Sequence, residues 1–228
     1  MVAKTVYSTY AWIMRPFSQP VWHSLIESGT PCRYEAGDVL LRQGAQGSHV
    51  LVLTFGQVKV IRLEPDGSEL LLAVRGADDL LGELAVLDGG ERSATVSALT
   101  MCLAYAVPAE RFHRIVRQFD LHGMLIRRAI RRLREGEDVR ADLAGLPAVA
   151  LVARTLLRLA TGLEVPLSQS DLAAATGLSR SAVAAELAAL RRAEIVATAR
   201  RRMVIQDLAA LRATAWDERP ILDSRSES

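Results

Sequence analysis

The feature that most constrains the fold is a change in hydrophobic pattern near residue 107. Before it, from residue 31, short apolar runs (DVLL, HVLVLTF, VKVIRL, ELLLAV, TVSAL, CLAYAV) alternate with turn signals, of which Pro65-Asp66-Gly67 is the clearest hairpin. Runs of this length and spacing are typical of a small antiparallel barrel or sandwich. After residue 107 the apolar spacing becomes helical. The chain is therefore predicted to be α+β, with an N-terminal antiparallel β-roll.

One of the predicted helices is unusually long. The sequence LHGMLIRRAIRRLREGEDVRADLAGL reaches Gly145 and Pro147 before any stop signal. Leu121, Leu125, Ala129, Leu133, Val139, Leu143 and Leu146 recur along it near helical spacing, with arginines between them. Such a helix either lies on its own roll or pairs with a second copy of the chain, and we expect a dimerisation helix.

The pattern of short helices after Pro147 predicts a helix-turn-helix. Ser168 and Asp171 form a capping box that opens one helix, Gly177 ends it, and Ser179 caps the next. Two short β runs around Arg200-Arg201-Arg202 then predict a wing. The predicted division is a leader (1–16), a β-roll (17–107), a dimerisation helix region (108–146), a winged helix-turn-helix (147–214) and a flexible tail (215–228).

Composition excludes several classes of protein. No apolar run approaches the ~20 residues of a membrane span, and the N-terminus lacks the pattern of a signal peptide, so we expect a cytoplasmic protein. Cys32 and Cys102 are isolated and the four histidines are scattered, so no metal is expected. No nucleophile–base set or nucleoside-triphosphate loop is present, so we expect no enzyme activity.

The stretch GELAVLDGGERSA places two opposite charges, Glu83 and Arg92, around one short helix-like turn. Either the two charges hold each other, or they hold a ligand. In this β context the cassette, together with the long helix and the winged helix-turn-helix, resembles the cyclic-AMP receptor protein/FNR family of bacterial transcription regulators. The resemblance covers about residues 17–212. The positions that match the family's phosphate-binding cassette are Gly82, Glu83, Leu84, Ala85, Arg92, Ser93 and Ala94, whereas Leu81 replaces the usual aromatic residue.

The resemblance implies that the roll binds a cyclic nucleotide as effector. The expected nucleotide is cyclic AMP, and cyclic GMP is the alternative. Arg92 would supply a planar fork of donors to the phosphate, with the Ser93 hydroxyl and backbone N–H groups after Gly82. Glu83 would accept a hydrogen bond from the ribose 2′-hydroxyl. At the positions that contact adenine in the family, this chain has Gly136 and Glu137, of which only Glu137 offers a side chain to accept a hydrogen bond from a base. Gly136 could also mark a bend, because glycine costs about 1 kcal/mol inside a helix.

For DNA, the resemblance implies that the second helix of the helix-turn-helix enters the major groove. Arg180 would read guanine, and Ser179, Ser181 and Ala185 would form the rest of the reading surface. The expected phosphate contacts come from Ser168, Gln169, Arg200 and Arg201. The expected partners are double-stranded DNA, a second copy of the chain and RNA polymerase. Two alternatives remain: a regulator of the same family that needs no effector, and an effector-binding assembly protein whose helix-turn-helix does not act on DNA.

Overall fold

The computed structural model describes residues 17–199 and 201–216. The predicted leader, the predicted tail from residue 217 onward and Arg200 lie outside the described residues. The chain divides into two compact units, residues 1–135 and 136–228. The strands of the first unit are β1 (Thr30–Tyr34), β2 (Val39–Leu41), β3 (His49–Phe55), β4 (Gln57–Leu63), β5 (Glu69–Gly76), β6 (Leu80–Leu81), β7 (Thr95–Ala98) and β8 (Cys102–Pro108).

These strands form two four-stranded antiparallel sheets, in the orders β1-β8-β3-β6 and β2-β7-β4-β5. The predicted hairpin at Pro65-Asp66-Gly67 joins β4 to β5, and its register pairs Leu63 with Glu69. The predicted antiparallel roll is therefore confirmed. Strands β1 and β6 were not predicted from the sequence.

The sequence of β3 is apolar at consecutive positions because both faces of this strand are buried. Leu51 and Leu53 point into the core between the two sheets, together with Leu41, Val58 and Cys102. The alternate residues, such as Val50 and Val52, point to the opposite face of the same sheet. Helices cover that face, so both sides of the strand are buried.

The covering helices are α1 (Gln19–Glu27), α3 (Ala109–Gln118) and the first part of α4 (His122–Gly145). Helix α4 runs unbroken through Gly136, so that residue does not interrupt the helix. The apolar residues of α4 do not form the single stripe that the sequence suggested. Leu121 and Leu125 are buried in the core of the first unit, whereas Leu133 is 59% exposed. Arginine side chains, described below, account for part of the packing of α4 on the roll.

The second unit contains α5 (Ala148–Leu159), β9 (Glu164–Val165), α6 (Gln169–Thr176), α7 (Arg180–Arg192), β10 (Val196–Ala199), β11 (Arg202–Ile205) and α8 (Leu208–Trp216). Its three strands form one antiparallel sheet in the order β10-β11-β9. Helices α6 and α7 form the predicted helix-turn-helix, and β10 with β11 forms the predicted wing. Strand β9 and helix α8 were not predicted.

Candidate functional site

The cassette begins where β6 ends. Gly82 has φ +78°, in the left-handed region, and turns the chain from β6 into the short helix α2 (Glu83–Leu87). A Cβ atom at Gly82 would overlap Arg92 Nη1 and lie 2.8 Å from Leu41 Cδ1. Glycine is therefore required here both for the backbone angle and for the close approach of the arginine.

Backbone hydrogen bonds fix the other end of the cassette against the loop before β3. The amide of Gly44 donates to the carbonyl of Arg92 at 2.9 Å, and the amide of Arg92 donates to the carbonyl of Ala45 at 2.8 Å. Gly47 approaches α2 so closely that a Cβ atom there would overlap the backbone of Ala85. Thus the Gln43-Gly44 and Gln46-Gly47 turns hold the cassette in place.

Arg92 is almost fully buried, with 4% of its surface exposed. Its Nη1 donates to the carbonyl of Gly82 at 2.5 Å, and its Nη2 donates to the carbonyl of His49. Burial lowers the pKa of Arg92, and the nearby charge of Glu83 partly offsets that effect. Within the described part of the chain, no carboxylate lies at ion-pair distance from this guanidinium.

Glu83 is 1% exposed, and its neighbours are arginines of α4 rather than Arg92. Arg132 Nη1 lies 2.5 Å from Glu83 Oε1, and Arg128 Nε lies 3.5 Å from the same oxygen. The charges are close, but the angles do not make hydrogen bonds. Both carboxylate oxygens of Glu83 therefore lack a hydrogen-bond partner among the described residues. The suggestion that Glu83 and Arg92 hold each other in a salt bridge is wrong, because each has other neighbours.

The two α4 arginines were missed in the sequence. Arg128 Nη2 donates to Asp79 Oδ1 at 2.7 Å, and both Arg128 and Arg132 reach the carbonyl of Leu80. Burial lowers the pKa of Arg132, and the charge of Glu83 opposes this shift. Arginines four residues apart share one helix face, which could have indicated a common contact. The run RRAIRRLRE contains five arginines, however, and the sequence alone does not show which of them face the roll.

The remaining cassette residues differ in exposure. Ala85 and Ala94 are buried, whereas Ser93 is exposed and Leu84 is 37% exposed. Glu137 is exposed and belongs to the second unit. Its contact with a base stays a prediction.

Two serines of the helix-turn-helix hold its geometry. Ser168 and Asp171 form the predicted capping box, with the Ser168 hydroxyl donating to Asp171 Oδ2 at 2.6 Å. Ser179 accepts from the amide of Ala182 at 3.1 Å and lies 2.9 Å from the Ser181 hydroxyl. Since both hydroxyls cap helices, the predicted contacts to DNA must use their remaining hydrogen-bonding capacity.

The predicted DNA-reading residues lie on the surface. Arg180, Ser181 and Ala185 are exposed on the first two turns of α7, and Gln169 is exposed at the start of α6. In the wing, Arg201 is exposed with φ +61°. The surface of the second unit thus exposes Arg180 at the start of α7 and Arg201 at the tip of the β10–β11 hairpin.

Neither a membrane span nor a metal site emerges from the described residues. Every helix among them is too short or too polar to cross a bilayer. The described histidine, cysteine, aspartate and glutamate side chains form no group of three or more that could hold a metal ion.

Two family models match the chain. The cyclic nucleotide-binding domain matches residues 31–119, and the Crp-like helix-turn-helix domain matches residues 152–214. The CRP-like cAMP-activated global transcriptional regulator of Mycobacterium tuberculosis is 30% identical over 169 residues, which are 69% of this chain and 75% of the relative. The cyclic AMP receptor protein of Thermus thermophilus is 32% identical over 169 residues, which are 72% of this chain and 77% of the relative.

Solved structures agree with these matches. The crystal structure of a CRP-family transcriptional regulator from Thermus thermophilus has a TM-score of 0.64 and 30% identity, and covers 81% of this chain and 96% of that one. The c-di-GMP-responsive regulator CLP of Xanthomonas campestris has a TM-score of 0.67 at 20% identity, covering 83% of this chain and 100% of that one. At 20% identity, the similarity to the Xanthomonas campestris protein supports the fold alone.

Proposed function

Because the chain belongs to the cyclic-AMP receptor protein/FNR family of transcription regulators, we propose that it is a homodimer whose β-roll binds a cyclic nucleotide and thereby controls DNA binding. The family consists of regulators rather than enzymes, in agreement with the sequence prediction. A DNA-binding regulator of a bacterial family acts where the chromosome is, so the proposal includes a cytoplasmic location. RNA polymerase as a further partner rests on the resemblance alone.

The observation that carries the proposal is the buried carboxylate of Glu83, which has arginines at ion-pair distance but no hydrogen-bond partner among the described residues. Leaving a buried polar group without a hydrogen bond costs about 1–3 kcal/mol, and more for a charged group. Native structures rarely retain such a group without a functional reason. A sugar hydroxyl would supply the missing donor, because neither carboxylate oxygen of Glu83 accepts a hydrogen bond among the described residues.

The charge of Arg92 also supports a cyclic nucleotide as the ligand, through its phosphate. Glu83 is near Arg132 and Arg128, and Asp79 pairs with Arg128, so the acids next to the cassette already face other cations. Arg92 has backbone carbonyls as partners but no carboxylate within the described part. One added negative charge would balance it, and a cyclic nucleotide carries one phosphate charge. Its donors would turn from the carbonyls to the phosphate oxygens, a bidentate geometry that arginine favours.

Adenine is the base that we propose for the effector, with guanine as the second candidate. The relatives from Mycobacterium tuberculosis and Thermus thermophilus are named for cyclic AMP. Glu137 could instead accept from N1–H and N2–H₂ of guanine, while Gly136 offers no side chain. Cyclic GMP therefore stays the second candidate for the effector.

The dimer is proposed from an apolar stripe on α4. Ile126, Ile130 and Leu133 are 59%, 43% and 59% exposed, and they recur at the spacing i, i+4, i+7. That spacing is the seam of a two-stranded coiled coil, and exposed large apolar residues at it are costly in a monomer. A second copy of α4 would cover them.

DNA recognition is proposed for α7, with Arg180 donating to the two acceptors of a guanine and Ala185 touching a thymine methyl. Ser179 and Ser181 are proposed to complete the reading surface. Ser168, Gln169 and Arg201 are proposed to lie against phosphates, and Arg200 keeps its predicted phosphate role outside the described residues. Effector binding would shift the population between two arrangements of the recognition helices. A difference of about 1–3 kcal/mol in effector affinity between the two arrangements suffices for useful coupling.

Calorimetric titration of the protein with cyclic AMP and cyclic GMP tests the effector proposal. The expected result is micromolar binding of one nucleotide, lost in Arg92→Ala and kept in Arg62→Ala, which removes an arginine that pairs with Glu64 on the roll surface. No binding of either nucleotide would contradict the proposal and favour a regulator without an effector, or an assembly protein.

A further inference from the structure

Arg154 of α5 contacts two other helices, α4 and α8, with one guanidinium group. Its Nη1 donates to Asp142 Oδ1 on α4 at 2.6 Å, and its Nε donates to the carbonyl of Ala215, in the last turn of α8, at 2.9 Å. Its Cζ atom also lies over the ring of Trp216, 5.5 Å from the centroid. A cation at the C-terminal end of a helix is favoured by the helix dipole. Arg154 therefore joins the end of α8 to α4.

The other end of α8 is joined to α7, the helix proposed to read DNA. The amides of Gln206 and Asp207, just before α8, donate to the carbonyl of Ile195 at 2.9 Å and 3.2 Å. The amide of Ile195 in turn donates to the carbonyl of Leu190 in α7 at 2.9 Å. Because Ile195 is also the residue before β10, this end of α8 is tied both to α7 and to the base of the wing.

Helix α8 is held along its length as well as at its ends. Asp207 caps its first turn, since Oδ1 accepts from the amide of Ala210 at 2.9 Å. Leu211 and Ala215 are buried, and α8 packs on α5. Trp216 is 62% exposed, so the end of α8 is held by Arg154 rather than by burial of that large side chain. A packed helix fixed at both ends transmits a displacement instead of absorbing it.

Building on the proposed function, we propose that Arg154 is a positioning residue that couples α4 to DNA recognition through α8. Helix α4 is shared between the two units, with residues 122–135 in the first and residues 136–145 in the second. A displacement of Asp142 together with α4 would pass through Arg154 to α8, and from α8 to α7 and the wing. The effector response thus depends on a residue that belongs neither to the cassette nor to the DNA-reading surface.

The test measures the affinity for a selected DNA duplex, with and without cyclic AMP or cyclic GMP, for the native protein, Arg154→Lys and Arg212→Lys. Lysine keeps the charge but offers one nitrogen, which cannot serve Asp142 and Ala215 in the fixed fork of arginine or stack on Trp216. The nucleotide should raise the DNA affinity of the native protein about tenfold or more. Arg154→Lys should lose most of that rise while binding the nucleotide itself like the native protein. Arg212 is exposed on α8, so its lysine variant should keep the full rise.

The ratio of the two DNA affinities separates coupling from a merely structural role. If Arg154 only stabilised the second unit, Arg154→Lys would weaken DNA binding equally with and without nucleotide. The rise would then keep its native size, and this result overturns the proposal. Asp142→Asn tests the same contact from α4 and should also reduce the rise. The double variant should lose no more than Arg154→Lys alone, because both changes break one contact. Losses that multiply in the double variant would overturn the assignment of this contact.

Thermal unfolding by circular dichroism shows whether Arg154→Lys is folded. If it is not, Asp142→Asn carries the test, because it leaves the contacts of Arg154 with Ala215 and Trp216 in place. A folded variant that keeps the native rise overturns the role of Arg154 and leaves the proposed function intact. A native protein whose DNA affinity responds to neither nucleotide overturns the proposed function, and this coupling with it.

Discussion

Replacing Gly82 with alanine tests whether the cassette backbone is shaped around the Arg92 guanidinium. The new Cβ would overlap Arg92 Nη1, and the residue would keep a φ of +78° that alanine disfavours. The backbone strain costs about 1–2 kcal/mol. Displacing the guanidinium from the carbonyls of Gly82 and His49 adds about 2 kcal/mol, since hydrogen bonds from charged groups are the stronger ones.

Gly67→Ala is the matched control. Gly67 has φ +83° at the hairpin tip, and a Cβ atom there would have no atom within 4 Å. The two variants therefore share the backbone strain but differ in the displaced arginine. In urea unfolding, Gly67→Ala should lower the free energy of unfolding by about 1 kcal/mol. Gly82→Ala should lower it by about 2 kcal/mol more than the control.

Effector affinity gives the second readout of this pair. Gly82→Ala should weaken cyclic AMP binding by at least about tenfold, because the arginine that meets the phosphate is moved. Gly67→Ala should bind like the native protein. Equal losses of stability in the two variants, with native nucleotide affinity in Gly82→Ala, would refute the reasoning that Gly82 positions Arg92.

Three further results are expected. Leu133→Asp places a charge in the apolar stripe of α4 and should give a monomer in sedimentation experiments; a dimer of native stability would mean that the seam lies elsewhere. Arg201→Ala should weaken binding to all DNA sequences alike and lower the salt dependence of binding by about one phosphate contact. Arg180→Ala should instead reduce the binding free energy by about 1–3 kcal/mol on the selected site alone. The reverse pattern would contradict the assigned roles. Burial, and then the charge of Arg92, lowers the pKa of His49, so the unfolded chain takes up the proton first and stability should fall as pH drops through about 6.5. His49→Gln should flatten that part of the profile, and an unchanged profile would show that another group titrates.

The sequence was sufficient for most of the fold because its local signals agree with the tertiary structure. The apolar runs became strands, and the predicted caps at Ser168, Gly177 and Ser179 are all present. Strand β1 was missed because Pro31 is unusual in a strand, but β1 lies at the edge of its sheet, where proline is tolerated. Strands β6 and β9 have two residues each, too few for a periodic signal.

The site was less predictable, because its charges are arranged by helix register rather than by local pattern. The cassette residues Glu83 and Arg92 could be identified from their spacing. Their partners could not, since Arg128 and Arg132 lie some forty to fifty positions after Glu83, and only the rotation of α4 brings them to its carboxylate. The arginines that stay exposed on the same helix are indistinguishable from them in sequence.

The most direct measurement of effector-gated DNA recognition is the affinity of the protein for selected and random DNA duplexes, with and without cyclic AMP, over a range of salt concentrations. The account predicts that cyclic AMP increases the preference for the selected duplex by about tenfold or more at fixed salt, and that Arg92→Ala abolishes this increase. An equal preference with and without cyclic AMP or cyclic GMP would contradict control by a cyclic nucleotide. No preference for any selected duplex would contradict sequence-specific binding itself.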